Sequence, residues 1–329
     1  MRASLHLCLI KGFCMTQLSR YRPNYVRHFI EQHPQGLCDV MSIHWQHEIR
    51  QTLLLGERAC CESVLCQPDA LWLEESLHPA NDEHTALSPW IQALNQAALN
   101  LGTLPELDSA QKLYSIGVMI SYASKRSGKE AKDCAEISRL PEELAQLASD
   151  RRLQEQYEQL PIIPSVQLDF LRELNSLEIP WEKLPESPRK ATFMLQLALM
   201  GNLGEAGESR LLEQIHDIWR QRGRPFFNQR RWMLNNYLLY RLYHDTFPQH
   251  ETLPLAEVYF DLVADYFLLR SLLCLWMLDG SELDDQLVVD IFSLYHQWRQ
   301  SNPITSQQIQ ALRSPSVEAD LAAFALLVY

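Results

Sequence analysis

The sequence predicts an all-α protein, in which an irregular, cysteine-containing segment over residues 1–80 precedes a multi-helix domain over residues 81–329. Three observations carry this. After residue 84, apolar residues recur at three- and four-residue spacing, the period of one helix face. Few segments show the strict alternation of a half-buried strand. The first eighty residues show no sustained period and scatter His, Cys and Pro instead.

Within the first segment only residues 49–55 form a short run, readable as strand or helix. The stretch HPANDEH (78–84) reads as a linker. Beyond it, Trp90, Leu94 and Ala97/Ala98 share one helical face, as do Leu113, Ile116, Ile120 and Tyr122/Ala123, with a stop at Ser127-Gly128. Pro141-Glu142-Glu143 reads as a first helical turn. Pro161, Pro164, Pro180, Pro185 and Pro188 then divide the chain ahead of a helix over 191–200. Trp232, Leu239, Tyr243 and Phe247 form the next stripe, ending at Pro248. A longer helix carries Val258/Tyr259, Leu262, Tyr266, Leu269, Leu273 and Trp276, and Asp279-Gly280 stops it. Ser281-x-x-Asp284 resembles a capping box for a helix with Leu287/Val288, Ile291/Phe292, Tyr295 and Trp298. A last helical segment covers 320–329.

The charge excludes one class of function. With 29 basic and 41 acidic residues the net charge is −12, the wrong sign for non-specific nucleic-acid binding. The most apolar stretch, residues 262–278, contains Asp265 and Arg270 and fits a buried helix better than a membrane span. The apolar run at Leu5–Ile10 is interrupted by His6 and too short for a secretion signal, so a cytoplasmic protein is expected.

Several motifs invite chemistry and are better explained by structure. Gly201-Asn-Leu-Gly204-Glu-Ala-Gly207 follows a helical pattern where a phosphate-cradling loop needs a strand, so Gly201 reads as a helix stop. His44-x-x-His47-Glu48 lacks the four-residue His spacing of a zincin helix. Asp265 and Arg270 are five apart, on different helix faces, and each calls for a partner on a neighbouring helix. Six of the eight cysteines (Cys8, Cys14, Cys38, Cys60, Cys61, Cys66) lie in the first fifth of the chain. Soft thiolates suit iron–sulfur clusters, although neither Cys8-x5-Cys14 nor Cys60-Cys61-x4-Cys66 has the usual two-residue spacing.

The run Leu234-Asn-Asn236-Tyr237-Leu238 through Phe247-Pro248 resembles the NYL…FP helix of the flagellin lysine-N-methylase (FliB) family. As in that family, an aromatic-rich helix (259–278) and a Glu-x-Leu…Val-Val-x-x-Ile helix (282–291) follow. Upstream, Cys60-Cys61-Glu62-Ser63 sits where the family has Cys-Pro-Glu-Ala, and Cys8 through Cys14-Met15 is similar to its "C…LC" segment. The resemblance implies a protein-lysine N-methyltransferase acting on flagellin, with S-adenosylmethionine as donor and a [4Fe–4S] cluster. It points to Cys8, Cys14 and Cys60 as the metal ligands, and no residue stands out as the catalytic base. The departures are specific. Cys61 replaces the proline, and Tyr21-Arg-Pro23 and Cys38 stand in for a Cys-x-x-Tyr-Pro step. The family's CxxxCxxxCC block would precede Cys8, where seven residues stand. The expectation is therefore an incomplete ligand set and impaired methylation, with a non-catalytic helical protein that binds flagellin or another flagellar substrate as the alternative.

Overall fold

A computed structural model describes residues 17–35, 39–79, 84–200, 203–250, 252–301, 304–313 and 317–328. Helices dominate, but the all-α expectation needs a correction at the N-terminus. The described residues of 17–79 are not irregular: they form a four-stranded mixed sheet with two short helices. The strands are β1 (Gln17–Pro23), β2 (Met41–Trp45), β3 (Glu48–Thr52) and β4 (Leu73–Pro79), and the helices are α1 (Asn24–Gln32) and α2 (Arg58–Leu65). The order across the sheet is β2-β3-β1-β4, with β1 parallel to β3 and the other two pairs antiparallel. Within the ambiguous run, Ile49 to Thr52 are strand. The stretch read as a linker begins inside β4, at His78-Pro79, and its residues 80–83 lie outside the described residues.

The helical body follows as α3 (Pro89–Gly102), α4 (Ser109–Ala123), α5 (Ala131–Ser149), α6 (Arg152–Glu158), α7 (Pro164–Glu173), α8 (Pro188–Met200), α9 (Glu205–Ile218), α10 (Arg224–Gln229), α11 (Arg231–His244), α12 (Leu255–Met277), α13 (Asp285–Ser301), α14 (Thr305–Leu312) and α15 (Ala319–Leu327). Two of the three glycines read as helix stops follow a helix end, Gly128 after α4 and Gly280 after α12, and the third, Gly201, lies outside the described residues. Gly128 and Gly280 have φ of 67° and 90°, the left-handed conformation glycine adopts without a Cβ clash. Three boundaries differ. Helix α11 ends at His244, so Phe247, read as part of its stripe, lies beyond it. Pro141 lies inside α5, which starts ten residues earlier, so it marks no helix start. The cap of α13 is Asp284 alone, whose Oδ1 accepts from Leu287 N at 2.8 Å, and not a box begun by Ser281.

Helix α12 is the axis of the fold. It packs against α4, α7, α8, α9, α13, α14 and α15, and is buried on every side from Tyr259 to Met277 except at Asp261. A helix apolar all round has this fate in a large core. Trp276 is buried, as its spacing predicted, and its ring lies 5.7 Å from that of Phe193 on α8. Among the described residues no helix is long and apolar enough to cross a membrane.

The sheet is fastened to the carboxyl end of α11. Arg50 on β3 is buried, donates to Tyr243 O at 3.0 Å and to Asn95 Oδ1 at 3.0 Å, and pairs with Glu48. Asn95 in turn donates to Leu242 O and Phe247 O, both at 2.8 Å. The last carbonyls of a helix lack intrahelical partners and carry partial negative charge, so a guanidinium and an amide suit them well.

Candidate functional site

Where the sheet meets the end of α11 an open pocket of about 450 Å³ is lined by Ile43 and Trp45 of β2 and by His244, Asp245, Thr246, Gln249, His250 and Thr252. This size is within the range of small-molecule sites. The strand supplies the apolar wall because its side chains alternate: Ile43 and Trp45 turn inward while Ser42 and His44 are exposed. The polar wall is the chain leaving α11, where Thr246 takes a left-handed φ of 49° and the Phe247–Pro248 bond is cis. That backbone is held by Asn95 and by Gln249 N, which donates to Thr246 O at 2.9 Å.

Each titratable group here has a defined setting. His244 Nδ1 lies 2.9 Å from Thr52 Oγ1, and its ring stacks on Tyr240 at 4.9 Å. Burial lowers its pKa below the ordinary histidine value; Asp245, whose Oδ1 is 4.0 Å from Nε2, opposes that and the Arg241 guanidinium adds to it. Thr52 Oγ1 also meets Tyr25 OH at 2.9 Å and Leu53 O at 3.5 Å. His250 Nδ1 accepts from Thr252 N and Leu253 N at 3.1 and 3.0 Å, which leaves its proton on Nε2.

Behind the pocket runs a buried ionic network joining α11, α12 and α13. Asp245 is bound by Arg241 Nε at 2.7 Å, and Arg241 reaches Asp265 at 2.5 Å and Tyr237 OH at 3.1 Å. Asp265 also accepts from Tyr295 OH at 2.5 Å and Arg299 Nε at 3.0 Å, and Arg299 pairs with Asp261 at 2.6 Å. Burial alone would raise the Asp265 pKa, but the Arg299 and Arg241 guanidiniums outweigh it and hold the carboxyl down to about 2. His296, 3.1 Å from Tyr237 OH, is kept neutral chiefly by burial, which pushes its pKa well below the usual value. The partners expected on neighbouring helices thus exist for Asp265. Arg270, on another face of α12, points at the Leu326 and Leu327 carbonyls of α15 at 3.3 and 3.5 Å.

The cysteines fare differently. Cys8 and Cys14 lie outside the described residues. Cys60 is buried in α2 and its thiol is pushed up to about 12, first by burial and then by Asp39 and Glu57. Cys61 is also buried, 3.7 Å from Val289 O. Among the described residues no three His, Cys, Asp or Glu side chains gather as metal ligands, so these residues alone do not fit a four-iron cluster. The His44 and His84 rings are tilted to one another with centroids 5.0 Å apart, and Glu48 serves Arg50.

Residues 95–325, well over half of the chain, match the family described as the FliB lysine N-methylase C-terminal domain. The chain belongs to that family. No curated protein and no solved structure gives a match. The polar wall of the pocket and the whole ionic network lie within the FliB match, whereas Ile43 and Trp45 lie before it. Phe247-Pro248 carries part of the resemblance, whereas none of the neighbouring pocket residues belongs to a motif visible in the sequence. The available signal was the run His244-Asp245-Thr246, titratable groups crowded at the end of an apolar helix.

Proposed function

We propose that the pocket receives the acceptor lysine of a protein-lysine N-methyltransferase whose substrate is flagellin and whose methyl donor is S-adenosylmethionine. The observation that carries this reading is the pairing, in one pocket, of the half-exposed Asp245 carboxylate with a half-buried His244 held neutral by its surroundings. Trp45 adds an aromatic wall of the kind that attracts cations. Both the acceptor ammonium and the donor sulfonium are cations, so this lining suits either. S-adenosylmethionine, when bound, supplies an electrophilic methyl group on sulfur.

The chain's own residues perform the preparatory work. Asp245 attracts the lysine ammonium, and Arg241 fixes the carboxylate that does so. Tyr25 donating to Thr52, and Thr52 to Leu53 O, leaves an Oγ1 lone pair for His244 Nδ1–H. In this arrangement Nε2 is the nitrogen that takes a proton from the ammonium, exposing the amine lone pair for attack. Ile43 and Trp45 exclude water from the bound side chain and restrict its orientation, which raises the rate by proximity. No step is assigned to an iron–sulfur cluster.

The test incubates flagellin, S-adenosylmethionine and the protein, and counts methylated lysines by mass spectrometry. His244→Asn, which keeps a donor toward Thr52, and Asp245→Asn should each lower the rate by about 10²-fold or more, the usual weight of a general base. Unchanged rates in both variants would reject the acceptor-site reading. Flagellin binding without methyl transfer at any pH would favour the non-catalytic alternative.

A further inference from the structure

We infer that the outer edge of β2 takes up an extended, lysine-bearing segment of the substrate protein as an added antiparallel strand, with the lysine opposite Ile43 and its side chain directed into the pocket. This rests on the acceptor-lysine reading of that pocket and adds how the substrate is held.

The sheet order places β2 at one edge. Its outward hydrogen-bonding groups follow from the register. Trp45 pairs with Glu48 across the two-residue turn Gln46-His47, and the pair flanking such a turn exchanges both N–H···O bonds. Alternation then makes Ile43↔Arg50 and Met41↔Thr52 the other bonded pairs. The N–H and C=O groups of Ser42 and His44 must therefore face away from β3. Among the described residues no hydrogen bond reaches those outward groups; the nearest backbone contact, Gln46 N to Thr85 O at 3.1 Å, lies past the strand end. The His44–His84 ring contact belongs to the face opposite Ile43 and Trp45.

An edge strand is usually guarded against pairing by lysine, proline or a bulge, and Met41-Ser-Ile-His-Trp45 has none of these. A strand bonded to Ser42 and His44 sets its intervening residue opposite Ile43 in a non-hydrogen-bonded pair. Side chains are closest in such a pair and lie on the same face. That face carries Ile43 and Trp45 into the cavity containing Asp245. The charge selects the occupant: a lysine there approaches a carboxylate, whereas an acidic residue would meet a like charge, on a chain of net charge −12. The other edge, β4, is also exposed but is not part of this pocket.

The register makes the inference testable with the intact protein. Fluorescein-labelled octapeptides of Thr and Val with one central lysine are titrated against the full chain by anisotropy, without methyl donor. Backbone N-methylation on both residues flanking the lysine removes the two N–H groups that would reach Ser42 and His44, and should weaken binding by about tenfold or more. N-methylation of the lysine's own amide, which faces away from β2, should change binding by less than about twofold on the same basis. His44→Pro deletes an outward donor at an edge position that tolerates proline, and should mimic the flanking methylation, while His44→Ala should not. Equal effects of the two methylation patterns, or no binding of the unmodified peptide up to millimolar concentration, would overturn the inference. Methyl transfer that proceeds equally on the flank-methylated peptide would overturn it while leaving the acceptor site intact. Register-dependent binding with no transfer to any lysine would uphold the edge and reject the acceptor reading instead.

Discussion

In the helical body the charged groups gathered around Asp265 answer one another across adjacent helices, whereas in the sheet Arg50, besides its local partner Glu48, answers backbone and amide groups far along the chain. Asp265, Arg241, Arg299 and Asp261 come from three consecutive helices and close a network among themselves. Arg50 instead finishes the end of α11, 193 positions away, and Thr52 meets His244, 192 positions away. The first arrangement stabilises an interior already defined by apolar packing. The second creates the seam at which the pocket opens, so the sheet's order depends on the helices more than theirs depends on it.

The largest expected effect tests the network. Asp265→Asn keeps the shape of the side chain but leaves the buried Arg241 and Arg299 short of one negative charge, and should cost about 3–5 kcal/mol. The pH dependence has a definite sign. A carboxyl held at about 2 in the folded protein binds fewer protons than it does unfolded, so its contribution is full above the unfolded value. It is lost as pH falls through the region from the ordinary aspartate pKa of about 4 down to the folded value. Denaturant melts of the wild type should show this acid-side loss, and Asp265→Asn should lack that part of it. Identical acid limbs would show that the network is not held together by Asp265.

This contrast also explains what the sequence made legible. Helices α3, α4, α8, α11, α12, α13 and α15 were readable because they bury apolar side chains at helical period, as Leu113, Ile116 and Ile120 do on α4 and Tyr295 and Trp298 on α13, whereas the short α6, α7, α10 and α14, and α9, were not read. Strand β3 buries Arg50, Gln51 and Thr52, residues that hydropathy assigns to the surface, so the run over 49–55 could not be resolved between strand and helix. Strand β4 is exposed along most of its length and offers no buried face to detect. The pocket inherits the same difficulty. Its residues are separated by about 200 positions in the chain, and only their packing assembles them. Asp265 was readable as a buried charge needing a partner, but which helices supplied Arg241 and Arg299 was not.

A middle-sized effect should come from the seam. Arg50→Met preserves most of the side-chain volume while stranding Asn95 Oδ1 and Glu48 and leaving the Tyr243 carbonyl only its bond from Thr246 N. A loss of about 2–3 kcal/mol is expected from buried acceptors left unsatisfied. The diagnostic is where the loss falls. Hydrogen exchange should quicken in β2 and β3 and at the end of α11, while α12 stays protected. Uniform loss of protection would mean that the sheet and the helices unfold as one unit, with no separate dependence of the sheet on the seam.

The smallest effect concerns a boundary in the helical body. Asp284 caps α13 by accepting from Leu287 N, a local interaction of the sort that costs about 1 kcal/mol to remove. Asp284→Ser, which retains a side-chain oxygen at the cap, should lose only a few tenths, and Asp284→Ala about 1 kcal/mol. The position matters because α13 presents Tyr295, His296 and Arg299 to the network. Fraying of its first turn should nevertheless leave those residues in place, since Val288, Ile291 and Phe292 anchor the helix between them and the cap. Asp284→Ala should therefore lower the melting temperature slightly without altering the acid limb governed by Asp265. A change in that limb would show that the cap and the ionic network are coupled, and that the body's charges are not as independent of local helix ends as their spacing suggests.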